Sequence, residues 1–307
     1  MKTLTGVIPA LVTPFSQDGS VDYTALQQLV EFHLHNGVGG VYLTGSTGEW
    51  TKLSLEERKK IAEVVVTTVA HAIPVVAHIG HNYTEQAVEL CEHAASIGVD
   101  MASAVIPGDY NYTIQEIAAY YRRIARVGLP VIVYYLDGNS PFFTPRVFVE
   151  EIGSIEGVVG LKYTASDLFP MQIIQQLSRG ALKVWCGYDQ MALAGLIMNA
   201  RGVIGSSYNY IPEIFVELYN AYVAGNLELA QSLQLEANCI SYRVKQIGGV
   251  PAYKEVLKMR GIDVGGCRPP SLPMVAKELE ELKKVVEQYP NRLKKIEFIE
   301  GRLSLVH

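Results

Sequence analysis

Short runs of β-branched and aliphatic residues alternate along most of the chain with longer stretches in which apolar residues recur every three or four positions. The first pattern is that of strands buried on both faces, and the second that of helices with one apolar side. Strands are predicted over residues 6–12, 41–43, 75–79, 101–105, 131–134, 158–162, 183–186 and 203–206. Their regular alternation with helical segments implies βα units and a parallel sheet, and the number of strands fits an α/β fold of the (β/α)8 TIM-barrel kind better than a doubly wound sheet.

The helical segments carry their own start and stop signals. Asp22 can cap a helix through Leu26, Leu29, Val30 and Leu34, and Ser54 with Glu57 forms a capping box ahead of Ile61, Val64 and Val65. Gly37 and Pro74 follow these two helices, and further helices over 87–95, 114–125 and 171–177 end before Gly98, Gly128 and Gly180. After Pro212 the alternation stops, leaving helical patterns over 214–224, 227–247, 251–260 and 274–289, with a Gly- and Pro-rich loop at 261–273. The expected organisation is a barrel over residues 1–225 and a C-terminal helical appendage over 226–307.

Composition narrows the function classes. A formal charge of -5, with Lys and Arg scattered, supplies no field for a polyanion, so nucleic acid is not an expected partner. Cys91, Cys186, Cys239 and Cys267 lie far apart without metal-ligand spacing, which suggests reduced thiols and no disulfides. The apolar run over 1–15 is broken by Pro9 and Pro14 and suits a first strand better than a signal-peptide core, and no run has the length of a membrane span. A cytoplasmic protein is expected, and a hydrophobic fraction of 49% leaves room for buried subunit contacts.

Active sites of such barrels form at the C-terminal ends of the strands. Here the sixth strand ends in Lys162, the fifth in Tyr134, the second in Gly45-Ser46-Thr47-Gly48-Glu49, the seventh in Gly187-Tyr188-Asp189, and the eighth in Gly205-Ser206-Ser207. A lysine closing an apolar strand either snorkels to solvent or has its ammonium destabilised by burial, and a neutral amine can form a Schiff base. The glycines around Ser46 and Thr47 allow a tight turn that aims amides and hydroxyls at a carboxylate, although the same tetrapeptide also makes a plain turn. Tyr134 fits equally a proton shuttle and a packed strand-end tyrosine. An amine, an anion cradle and a hydroxyl shuttle are together what a Schiff-base enzyme acting on a keto acid requires.

These residues resemble the dihydrodipicolinate synthase/N-acetylneuraminate lyase family of class I aldolases. The similarity rests on Gly45 to Glu49, the tyrosine closing the fifth strand, Gly160-Leu161-Lys162, Thr13-Pro14-Phe15, Gly187-Tyr188-Asp189 and Gly205-Ser206-Ser207-Tyr208-Asn209, and it spans nearly the whole chain. The resemblance implies an imine between Lys162 and the keto carbon of pyruvate or a 2-oxo acid, with no separate cofactor and no metal. It also implies that Tyr134 relays protons, assisted by Ser46 and by a tyrosine of a neighbouring subunit for which Tyr110 is the best match, and that Ser46 and Thr47 hold the carboxylate. A homotetramer is the assembly implied, with pyruvate and an aldehyde sugar as the small-molecule partners and no membrane.

The substrate implied is argued from the later loops. No arginine follows Tyr134 before Arg146, which weighs against the synthase branch and its second carboxylate. Thr164, Gly187, Asp189, Gln190 and Ser206 match sugar-binding positions of the lyase branch, so the expected reaction is cleavage of a sialic acid, N-acetylneuraminate above others, to pyruvate and N-acetylmannosamine. Two departures, Gln190 in place of the usual glutamate and Tyr135-Leu136-Asp137 in place of the usual Asn-Ile-Pro, leave open an aldolase for another 2-keto-3-deoxy sugar acid. A non-catalytic sugar-acid sensor on the same fold, and a metal-dependent aldolase drawing on His33, His35, His78 and His81, are the readings from other classes.

Overall fold

The computed structural model of the chain describes residues 2–107, 111–138, 144–299 and 302–305. Eight parallel strands, β1 (Gly6–Pro9), β2 (Val41–Leu43), β3 (Val75–His78), β4 (Met101–Val105), β5 (Val131–Leu136), β6 (Val158–Thr164), β7 (Lys183–Cys186) and β8 (Gly202–Gly205), pair in the order β1-β8-β7-β6-β5-β4-β3-β2. A parallel bridge between Ala10 and Tyr42, with the Leu11 amide donating to the Tyr42 carbonyl at 2.9 Å, brings the two ends of this sheet together as a TIM barrel.

Helices α1 (Tyr23–His35), α2 (Leu55–Val69), α3 (Thr84–Ser96), α4 (Ile114–Ala125), α5 (Pro145–Glu151), α6 (Phe169–Leu177), α7 (Ala192–Ile197) and α8 (Pro212–Val223) follow the strands in turn. Asp22 caps α1 by accepting from the Ala25 amide, and Ser54 and Glu57 exchange the two bonds of a capping box at α2, as the sequence predicts. Helices α9 (Leu227–Gly248), α10 (Val250–Arg260) and α11 (Ala276–Gln288) complete the C-terminal part, with a two-stranded hairpin, β9 (Ile296–Ile299) and β10 (Arg302–Leu305), beyond them. Helices α5 and α7 and this hairpin were not among the elements predicted. Strand β6 runs two residues past Lys162, whereas β1 stops at Pro9, where the chain continues only as the Ala10 bridge.

Two apolar layers follow from the two-residue alternation of the strands. Val7, Val41, Val75, Ala102, Val131, Leu161 and Val203 belong to the large cluster between sheet and helices. Ile8, Tyr42, Val76, Met101, Ile132, Trp185 and Ile204 form a separate cluster that fills the barrel. Gly160 is required by this filling, because a Cβ there would stand 2.0 Å from the Lys183 carbonyl oxygen and 2.9 Å from the Trp185 ring. The parity that sends Leu161 and Tyr163 to the helices therefore turns Gly160, Lys162 and Thr164 to the interior.

Candidate active site

Lys162 and Tyr134 are direct register partners across β5 and β6. Both are 4% exposed, so the lysine does not snorkel to solvent. Its ammonium nitrogen stands 4.0 Å from the centroid of the Tyr134 ring and 4.2 Å from that of Tyr42, in cation–π range of both. Burial lowers the Lys162 pKa from the ordinary lysine value, while Tyr134 and the Asp189 carboxylate pull it partly back. The balance favours a larger share of free amine than a surface lysine would have.

Tyr42 is a member of this site that the sequence reading missed. Its ring meets that of Tyr134 edge-on with centroids 6.3 Å apart, and its hydroxyl donates to Ser103 Oγ at 3.1 Å. Burial raises its pKa well above that of a free phenol, so it stays protonated. The signal available was parity, since Tyr42 occupies the inward position of β2. His78 supports the same wall. The Val105 amide donates to its Nε2 at 3.2 Å, which leaves Nδ1 to carry the proton toward the Thr44 carbonyl at 3.0 Å. Burial holds the His78 pKa well below the ordinary imidazole value, with Arg58 and Lys162 adding to the effect.

The Gly45–Glu49 turn begins three residues beyond Tyr42, and a Cβ on Gly45 would come within 2.7 Å of the Tyr42 ring. Ser46 is exposed and Thr47 half-buried at the rim. The turn is anchored from below by Thr13, whose hydroxyl donates to the Gly48 carbonyl at 2.7 Å, and by Glu49. Glu49 has φ +58° and is buried, with Oε1 2.8 Å from the ammonium of Lys254 on α10. That ammonium also donates to the carbonyls of Thr13 and Gly266, so all three of its protons have acceptors. Burial raises Glu49, but Lys254 and Lys52 outweigh it and keep the carboxyl below the ordinary glutamate value.

The opposite side of the rim is built from β6, β7 and β8. Thr164 Oγ1 is buried without a protein partner, and Gly187 is what allows β7 to pass so close, because a Cβ there would lie 1.9 Å from that oxygen. Asp189 is 6% exposed in a 3₁₀ turn over Asp189–Met191. Its Oδ2 accepts from the Ser207 amide at 2.7 Å, from the Ser207 hydroxyl, and from Ser206 Oγ at 3.3 Å. The Tyr253 hydroxyl of α10 shares a hydrogen bond with Ser206. Gln190 and Ser206 are half-buried beside Asp189. The structure thus brings Lys162, Tyr134, Ser46, Thr47, Thr164, Gly187, Asp189, Gln190 and Ser206 to one end of the barrel. Tyr110 lies outside the described residues.

Of the histidines weighed as metal ligands, His78 and His81 both pack against the Trp50 ring. His33 sits in α1 against Phe32, fully buried, while His78 is beside the barrel interior. Among the described residues no group of three His, Cys, Asp or Glu side chains is placed to hold a metal ion. No helix among them is long and apolar enough to cross a membrane.

Comparison with known proteins agrees with this fold. A family model described as the Dihydrodipicolinate synthetase family matches residues 3–289. The N-acetylneuraminate lyase of Rhizobium meliloti (strain 1021) is 36% identical over 284 residues, covering 92% of this chain and 94% of that protein. That of Escherichia coli O1:K1 / APEC is 34% identical over 288 residues, covering 93% and 97% respectively. Among solved structures, the wild-type sialic acid aldolase of Ruminococcus gnavus superposes with a TM-score of 0.91 at 27% identity, covering 95% of this chain and 98% of that one.

Proposed function

Since this chain belongs to the dihydrodipicolinate synthetase family of pyruvate-dependent lyases, the class I aldolases, we propose that it cleaves a sialic acid, N-acetylneuraminate, to pyruvate and N-acetylmannosamine. The observation that carries the proposal is the buried amine of Lys162 held between the Tyr134 and Tyr42 rings beside the Gly45–Glu49 turn. In this reading the free Lys162 amine adds to the C2 carbonyl of the open-chain sugar acid, and loss of water leaves a protonated imine. Tyr134 takes the proton of the C4 hydroxyl as the C3–C4 bond breaks and passes its own phenolic proton to Ser46, whose exposed hydroxyl hands it to solvent. The bond electrons pass into the imine, so the aldehyde leaves and an enamine of pyruvate remains. A proton returned from solvent through the same relay adds at C3, and hydrolysis of the imine releases pyruvate and returns the amine.

Each other group then has a defined task. Ser46 and Thr47 hold the carboxylate with the amides of their turn, and Ser46 extends the hydroxyl relay from Tyr134. Thr164, Gly187, Asp189, Gln190 and Ser206 face the polyol of the aldehyde half, where the unpartnered Thr164 hydroxyl offers a hydrogen bond. The imine serves as electron sink, so the reaction as proposed needs no cofactor. The assembly we propose is a cytoplasmic homotetramer in which Tyr110 of a neighbouring subunit completes the relay. Residues 1–225 carry the chemistry and 226–307 support its rim.

A second reading, an aldolase for a different 2-keto-3-deoxy sugar acid, is favoured by the neutral amide of Gln190 at a position where charge would select among polyols. Pyruvate release from N-acetylneuraminate and from a 2-keto-3-deoxyhexonate, measured side by side, separates the two. Turnover of the first supports the sialate reading, and turnover of the second alone replaces it.

A further inference from the structure

The Asp189–Met191 turn and the start of α7 are gripped from outside the βα units by two amide side chains of α9. Gln234 Oε1 accepts from the Leu193 amide at 2.8 Å, while its Nε2 donates to the Asp189 carbonyl at 3.2 Å and to Asn238 Oδ1 at 3.0 Å. Asn238 Nδ2 donates to the Gln190 carbonyl at 3.2 Å. Spaced four residues apart, the two amides share one helix face and interlock, so each orients the other.

The sheet holds the chain only as far as Gly187, whose amide donates to the Tyr163 carbonyl at 2.7 Å. Strand β7 ends at Cys186, and its pairing with β8 is registered at the single position Cys186 to Val203. Beside the bonds that the Asp189 carboxylate accepts from Ser206 and Ser207, the backbone at 189, 190 and 193 is held by α9. The carboxylate cradle is anchored elsewhere, by Glu49 and Lys254.

We infer that Gln234 and Asn238 are positioning residues that set the aldehyde specificity of the site by holding the backbone from which Asp189 and Gln190 reach the polyol. The inference rests on the reading that these two residues contact the aldehyde half. Because catalytic and binding geometry degrades with displacements near 1 Å, loss of this grip weakens recognition of the sugar and leaves the pyruvate half intact.

The test uses the full-length protein and its Gln234→Ala, Gln234→Glu and Asn238→Ala variants. Condensation is measured with pyruvate and N-acetylmannosamine, D-mannose or the shorter D-glyceraldehyde, alongside borohydride trapping of pyruvate and amide hydrogen exchange at Leu193. For the two alanine variants, KM for the aldehyde should rise about five-fold, the loss expected for about one hydrogen bond. KM for pyruvate and the trapping rate should be unchanged. Exchange at Leu193 should quicken in Gln234→Ala but not in Gln234→Glu, which keeps the acceptor for that amide. An unchanged aldehyde KM, or parallel rises for aldehyde and pyruvate, overturns the inference. If the wild-type protein takes only a shorter aldehyde, the sialate reading fails alone and the same KM split is measured on that aldehyde. If the wild type traps pyruvate but accepts no aldehyde, both fail.

Discussion

Lys162 and Tyr134 face one another across adjacent strands in register, with the lysine nitrogen 4.0 Å from the tyrosine ring centroid. The pairing supplies the amine with a desolvated site and, in the mechanism we propose, a proton-transferring neighbour at once. Removing only the Tyr134 hydroxyl should separate these roles. Tyr134→Phe keeps the ring over the ammonium, so the fold and pyruvate imine formation should persist while kcat drops by about two to four orders of magnitude, the usual share of a general acid–base group. Unaltered kcat would remove Tyr134 from the proton path.

The lowered pKa of Lys162 sets a direction for pH. As pH rises the free-amine fraction grows, so borohydride trapping with pyruvate should accelerate with pH and level off below the ordinary lysine pKa. Lys162 is depressed chiefly by burial, so salt should move this limb little. A trapping rate that keeps climbing to the pH of a free lysine side chain would contradict the assignment.

Glu49 and Lys254 lie 205 positions apart in sequence and form a buried pair that ties the turn after β2 to α10. Lys254→Met should cost about 3–5 kcal/mol, because it leaves a buried carboxylate uncompensated. Adding Glu49→Gln should recover part of that loss. Chemical denaturation of the two single variants and the double variant checks the coupling, and additive losses would rule it out.

Parity and strand ends made much of this site legible in the sequence. Lys162, Tyr134 and the Gly45–Glu49 turn stand where barrel geometry puts chemistry, and the predicted strands meet the observed ones to within a few residues. Tyr42 was hidden because a tyrosine inside a three-residue strand has the pattern of ordinary core. Helices α5 and α7, at seven and six residues, are too short for a 3.6-residue period to declare itself. The links from Glu49 to Lys254 and from Asp189 to Gln234 join distant segments, and nothing in local spacing announces them.

His33 predicts part of the acid limb of stability. It is fully buried, neither ring nitrogen has a protein partner, and burial, with Arg260 adding to it, lowers its pKa from 6.5 to about 3. Between those values the unfolded chain binds a proton that the folded chain refuses, so stability falls as pH falls, by up to about 1.4 kcal/mol per pH unit. His33→Leu should flatten that limb relative to wild type in urea titrations at neutral pH and near pH 5. Parallel curves for the two proteins would show that His33 contributes nothing to it.

The central claim is most directly tested by reducing the protein with borohydride in the presence of N-acetylneuraminate and mapping the product by peptide mass. One pyruvyl group on the peptide carrying Lys162, absent from Lys162→Met, together with free N-acetylmannosamine in solution, is the predicted result. An unmodified Lys162, or an adduct on another lysine, would contradict it.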